Sequence, residues 1–154
     1  MIAGGRLVLV ALFVALIAAQ SLVAQTTYKL YFLGGQSNMD GYGYVAELPA
    51  ELHGPVPAVM VFHGNPVPDD TVGGGRGLWS QLKPGHGVGF SSDGKANSYS
   101  DRFGVEVTFA QRLQELEPNS RIAIVKYSRG GTSIDSAAAG DFGSWIPTMV
   151  AGPE

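Results

Sequence analysis

No cysteine occurs among the 154 residues. This excludes a disulfide framework, a thiolate nucleophile, a zinc–thiolate centre and a cysteine-linked lipid anchor. A basic block is also missing. Ten Lys and Arg against thirteen Asp and Glu leave a formal net charge of −3, which argues against a nucleic-acid partner. The 22 glycines follow no fixed period, so the chain is not collagen-like. No Gly-x-Gly-x-x-Gly run follows a strand pattern, and Gly73-Gly74-Gly75-Arg76-Gly77 lacks the Gly-Lys-Ser/Thr ending of a phosphate loop. Asp69-Asp70 reads as a solvated loop rather than a cation site. No cofactor and no metal are expected. With 45% hydrophobic and 15% charged residues, the composition is that of one folded domain, neither disordered nor fibrous.

The first two dozen residues are of another kind. Arg6 precedes an uninterrupted apolar run from Leu7 to Ala19, and small residues follow at Ala19-Gln20-Ser21 and Leu22-Val23-Ala24. This is the three-part pattern of a signal peptide. As a membrane anchor the run is short of the roughly 20 residues a span needs. Residues 1–24 are therefore read as a signal peptide, and the product as secreted or periplasmic, with no stable membrane association after cleavage. Cleavage removes one Arg and no acid, leaving nine basic and thirteen acidic residues and a net charge of −4.

From residue 25 on, the pattern alternates between strand and helix. Tyr28 to Leu33 is aromatic and branched and stops at Gly34-Gly35, as a buried strand does. Pro57 to His63 reads as a second strand. Gly64 to Asn97 reads as loop, longer than compact domains usually hold and often functional when present. Phe103, Val107, Ala110, Leu113 and Leu116 then recur at three- and four-residue spacing. This predicts a helix, with Ser98, Ser100 and Asp101 as N-cap candidates and Pro118 as its stop. Arg121 to Tyr127 follows as a strand ending at Ser128-Arg129-Gly130-Gly131. Strand, helix, strand predicts a right-handed crossover and a sheet that is at least partly parallel. The fold class is α/β.

Two glycine-containing turns follow buried strands, Gly34-Gly35-Gln36-Ser37 and Gly130-Gly131-Thr132-Ser133. Both belong at the carboxyl edge of a parallel sheet, where ligand crevices form. A serine leaving a strand there can present its hydroxyl. Its own N–H and that of a glycine in the neighbouring turn can converge on a developing oxyanion, each donor worth roughly a hundred- to thousandfold in rate. Serines after Gly-Gly are more often helix caps or turn formers, so the residues alone leave both readings open. The α/β-hydrolase elbow does not apply, because Met39 stands where its second glycine belongs.

Gly35-Gln36-Ser37-Asn38-Met39 with Gly41 resembles the first block of the sialate O-acetylesterase and acetylxylan esterase branch of the SGNH hydrolases. Trp79-Ser80-Gln81-Leu82-Lys83-Pro84-Gly85 resembles that family's Trp, Leu and Pro-Gly segment. Phe103-Gly104-Val105-Glu106 resembles its Phe-Gly-Pro-Glu, with Val105 in place of Pro. Lys126 to Ile134 resembles its second block. Four runs in the same order, across most of residues 28 to 135, are far more specific than any one. The resemblance implies a three-layer sandwich with a mainly parallel central sheet, SGNH-hydrolase or flavodoxin-like, and hydrolysis of O-acetyl esters on carbohydrates. Ser37 would be the nucleophile. Its N–H and that of Gly131, or of Gly130, would hold the oxyanion. Gln36 and Asn38 are read as shaping the turn.

A serine hydroxyl needs a base, and the family's base is a histidine in an Asp-x-x-His block. No Asp here has His three residues later, and the family's Gln-Gly-Glu run is also missing. Residues 25–154 are therefore expected to be the N-terminal part of a truncated domain. His53, His63 and His86 read as solvated loop or strand-end residues, with His63 the least unlikely substitute base. Trp79 and Phe90 are candidates either for a sugar-stacking platform or for the core. The rival to an esterase acting on an acetylated carbohydrate is a dead fragment or carbohydrate-binding module lacking the base.

Overall fold

The computed structural model describes residues 26–64, 72 and 74–146. The signal-peptide reading of residues 1–24 and the pair Asp69-Asp70 lie outside them. Among the described residues no helix is long and apolar enough to cross a membrane.

Strands β1 (Lys29–Gly35), β3 (Val59–His63), β4 (Trp79–Gln81) and β8 (Ile122–Ser128) form one sheet in the order β1-β8-β3-β4. The central strand β8 runs parallel to both β1 and β3, and only β4 is antiparallel. The expected α/β class with a mainly parallel sheet is what forms. Two small ribbons pair β2 (Gly43–Tyr44) with β7 (Arg102–Phe103) and β5 (Ser91–Ser92) with β6 (Asn97–Ser98).

Alternation along the strands sorts residues to the two faces. Leu33, Val59, Val61, Ile122 and Ile124 point to one side and are buried with Leu82 and with Ala110 of α2 (Glu106–Leu116). Tyr31 meets Phe109 of that helix edge-on, centroids 5.6 Å apart. Each fully buried branched side chain contributes roughly 1.5–3 kcal/mol. On the other side the register aligns Leu30, Ala123 and Met60 in one row and Phe32, Val125, Phe62 and Trp79 in the next. Leu30 is 66% exposed, Phe32 63% and Trp79 49%. The only described helix longer than one turn packs on the opposite face.

The helix begins later than its periodicity predicts. Phe103 lies in β7, and Ser98, Ser100 and Asp101 cap nothing. The Ser100 hydroxyl instead accepts the Arg102 N–H at 3.0 Å and turns the chain into the ribbon. Val105 stands at the cap position without a side-chain bond. The Glu106 carboxylate, in the first turn where the helix dipole favours an anion, accepts the Gly104 N–H at 2.9 Å.

Candidate active site

Ser37 opens a one-turn helix, α1 (Ser37–Asp40), two residues beyond the carboxyl end of β1. The turn is tight enough that a Cβ on Gly35 would lie 2.8 Å from that of Met39. Gly41 closes it with φ +99°, and a Cβ there would fall 2.3 Å from the Gly104 Cα. Neighbouring β8 ends at the same edge, Gly35 opposite Ser128. The two exits are stitched together: the Arg129 N–H donates to the Gly35 carbonyl at 3.0 Å, and the Ser128 hydroxyl to the Asp40 carboxylate at 3.0 Å.

The structure therefore brings the Ser37 turn and the Gly130-Gly131 loop to adjacent strand ends. Gly131 adopts φ +80°, and a Cβ on it would lie 2.6 Å from the Phe142 ring. Among the described residues the N–H groups of Gly130 and Gly131 have no hydrogen-bond partner. The Ser37 N–H does have one, since it donates to Gln36 Oε1 at 2.8 Å. The same oxygen also accepts the Ser37 hydroxyl. Gln36 thus caps the turn with its side-chain carbonyl, as a turn-shaping residue does. Asn38 is exposed.

Beneath this edge lies a charge that sequence reading missed. Lys126, in the middle of β8, is fully buried and its ammonium has three acceptors. They are Glu106 Oε2 at 2.7 Å, the His86 carbonyl at 2.7 Å and the Asp40 carbonyl at 2.9 Å. One side chain thereby holds the end of the Ser37 turn, the Pro84–Gly87 loop and the start of α2. The signal was a lysine in an otherwise apolar strand, opposed by a helix that opens on glutamate.

The histidines correct the sequence reading. His63 and His86 are not solvated: they are 6% and 0% exposed. Their Nδ1 atoms are 3.4 Å apart, and Phe90 stacks on His63 at 4.3 Å. Burial first, and then the Lys126 charge, push His63 down to about 2 and His86 down to about 3, so both rings are neutral. His53 is exposed and bonds the Leu48 carbonyl at 2.8 Å. None of the three is hydrogen-bonded to Ser37. Phe90 is core, whereas Trp79 stands on the exposed sheet face, so these two form no common platform. Among the described residues no group of three or more His, Asp or Glu gathers to hold a metal.

Two hollows flank the edge and share Tyr127. One, of about 240 Å³, is lined by Asp40, His63, Phe90, Ser91 and Ser128. The other, of about 310 Å³, is lined by Arg129, Thr132, Phe142, Ser144 and Trp145.

The profile of a family described as carbohydrate esterase, sialic acid-specific acetylesterase, matches residues 27–150. No protein of curated function matches the chain in sequence. Among solved structures, the crystal structure of NanS is similar with 19% identity and a TM-score of 0.44 over 75% of this chain. The match covers 39% of the NanS chain, so this sequence spans well under half the length of that relative.

Proposed function

This chain belongs to the family of sialic acid-specific acetylesterases among the carbohydrate esterases, and we propose that the protein hydrolyses O-acetyl esters on carbohydrates with Ser37 as nucleophile. The observation that carries the reading is the pairing of exits: Ser37 leaves β1 beside a β8 loop whose Gly130 and Gly131 N–H groups have no partner among the described residues. In the proposed reaction the Ser37 Oγ attacks the acetyl carbonyl while a base takes its proton. The tetrahedral oxyanion is held by the N–H of Ser37 and that of Gly131 or Gly130. Collapse expels the sugar hydroxyl, which recovers the proton, and water then cleaves the acetyl-enzyme.

Two conditions follow from the geometry. Gln36 Oε1 must leave the Ser37 N–H before an oxyanion can take its place, at about 0.5–1.5 kcal/mol for one hydrogen bond. The base is assigned outside the three histidines of this sequence, because burial makes His63 and His86 poor proton acceptors and His53 is bonded to the Leu48 carbonyl. We place it on a further part of the domain that residues 25–154 begin. The same part would cover the face of Leu30, Phe32 and Trp79, where a hollow of about 430 Å³ now opens, and complete a three-layer sandwich, because parallel sheets carry helices on both faces. A hydrophobic dye is expected to bind the 154-residue chain and not a longer natural polypeptide. Equal binding to both would remove the layered reading. Export is proposed from the leader at 1–24, and an exported product starting at Met1 would contradict it.

The direct test is acetate release from acetylated sialic acid and acetylated xylan by the longest natural polypeptide. Ser37→Ala is expected to abolish turnover at unchanged fold, and unaltered release would exclude Ser37. If only binding is found, the carbohydrate-binding module becomes the better reading.

A further inference from the structure

Ser37 lies between two bonds that cross to the end of β8. Before it, the Gly35 carbonyl accepts the Arg129 N–H at 3.0 Å. After it, the Asp40 carboxylate accepts the Ser128 hydroxyl at 3.0 Å. The two donors are neighbours, and Gly130 and Gly131 follow them directly. Asp40 is half-buried, and its main chain is held by Lys126, whose ammonium donates to its carbonyl at 2.9 Å. Its carboxylate therefore stands on a fixed backbone, and a hydroxyl-to-carboxylate bond is strong and directional.

Beyond Arg129 the loop is bonded to its own continuation. The Thr132 hydroxyl donates to the Arg129 carbonyl at 2.7 Å, and the Ser133 N–H to the Gly143 carbonyl at 3.2 Å. The Trp145 N–H donates to the Ser133 carbonyl at 2.9 Å, and its indole N–H to Thr132 Oγ at 2.9 Å. Tyr127 meets the Trp145 ring edge-on at 5.7 Å, a contact that joins the loop to its own strand. Among the described residues, no hydrogen bond from Gly130 to Ile134 reaches β1 or α1. Loop and turn are thus brought into register by the hydrogen bonds of Ser128 and Arg129. Only the bond from Ser128 to Asp40 is made by side chains.

We propose that Asp40 is a positioning residue that, through Ser128, fixes the Gly130-Gly131 N–H groups relative to the Ser37 hydroxyl. The proposal rests on the roles given above to Ser37 and to those N–H groups. Asp40 itself touches no reacting atom. Its effect falls on the transition state, where a misplacement of about 1 Å costs about a hundredfold in rate. The ground-state ester carries no charge on the oxygen concerned, so substrate binding should change little.

The experiment measures acetate release by the longest natural polypeptide from acetylated sialic acid and acetylated xylan. Asp40→Ala should lower kcat by about 10- to 100-fold with KM within about twofold of the wild type. Ser128→Ala should do the same, and it carries the test alone should Asp40→Ala not fold. The double variant should be no slower than either, since each change alone breaks the same bond. Asp40→Asn keeps an acceptor oxygen and should recover most of the rate. A merely structural role would lower the thermal midpoint and leave kcat per folded molecule unchanged. If Ser128→Ala keeps its kcat, if the two losses multiply, or if Asp40→Asn is as slow as Asp40→Ala, the positioning role is wrong while Ser37 stands. If Ser37→Ala releases acetate like the wild type, or neither ester is cleaved, the underlying reading falls and this one with it.

Discussion

Replacing Lys126 with methionine keeps the length of the side chain and removes its charge and all three donors. The Glu106 carboxylate, fully buried, is left with the Gly104 N–H as its sole described partner. The carbonyls of Asp40 and His86 lose the ammonium that ties them together. Breaking one partner of a buried ion pair costs about 3–5 kcal/mol, a large share of the roughly 5–15 kcal/mol that holds a domain folded. With a urea m-value of about 2 kcal/mol per molar, the unfolding midpoint should fall by about 2 M. Removing both charges in Lys126→Met/Glu106→Leu should recover only part of this. The double variant relieves the unpaired Glu106 charge, but like the single one it leaves the carbonyls of Asp40 and His86 without the ammonium. Urea titration read by tryptophan fluorescence measures the midpoints, and hydrogen exchange at Gly41 and Gly104 reports the turn directly. Arg112→Ala, which opens an exposed pair with Glu115, should leave the midpoint in place. If Lys126→Met moves it no further than that control, the buried pair is not what secures the turn. If the double variant equals the wild type, the pair balances charge but tethers nothing.

The buried imidazoles predict a dependence on pH. An unfolded histidine takes up a proton near pH 6.5, whereas His86 and His63 resist it to about 3 and about 2. The unfolded chain therefore binds more protons below pH 6.5, and stability that is complete above that value falls as the pH drops. The slope is about 1.4 kcal/mol per pH unit for each ring. Urea midpoints between pH 6.5 and 5 should follow this slope and His86→Phe should halve it, whereas a flat profile would mean that protons reach the folded rings. Gly41→Ala should lose soluble protein, because its methyl would lie 2.3 Å from backbone and φ is +99°, a conformation costing a non-glycine residue about 1–3 kcal/mol before any clash. Gly54→Ala, with nothing within 4 Å, should match the wild type in thermal unfolding; equal melting of both variants would remove the close-approach argument.

Several elements were legible because their causes are local. β1, β3 and β8 are short apolar runs cut off by glycine, by histidine-glycine and by serine-arginine-glycine, and each forms within two residues of its predicted ends. The helix was read from its apolar spacing and stopped where Pro118 requires. Its start was misplaced because Phe103 fits the helical period and the ribbon equally, and pairing with Gly43 decides between them. The resemblance of four short runs carried the family, which no count of composition could have supplied.

Sequence alone determined β1, β3 and β8, the body of the helix, the order that makes the sheet mainly parallel, and the position of Ser37 just past a strand; β4 and β5 form inside the stretch from Gly64 to Asn97 that was read as loop. These depend on alternation, periodicity and turn chemistry within a dozen residues. Tertiary structure alone decided that His63 and His86 are buried, that Gln36 covers the Ser37 N–H, and that Phe142 lies on Gly131. It also decided the fate of Lys126. A lysine in a strand is ordinarily a solvent-facing residue, and this one is buried only because its acceptors arrive from 20, 40 and 86 residues away. An ammonium leaves water only where the fold supplies its full set of partners, and that set exists only once the sheet, the helix and the Ser37 turn have met.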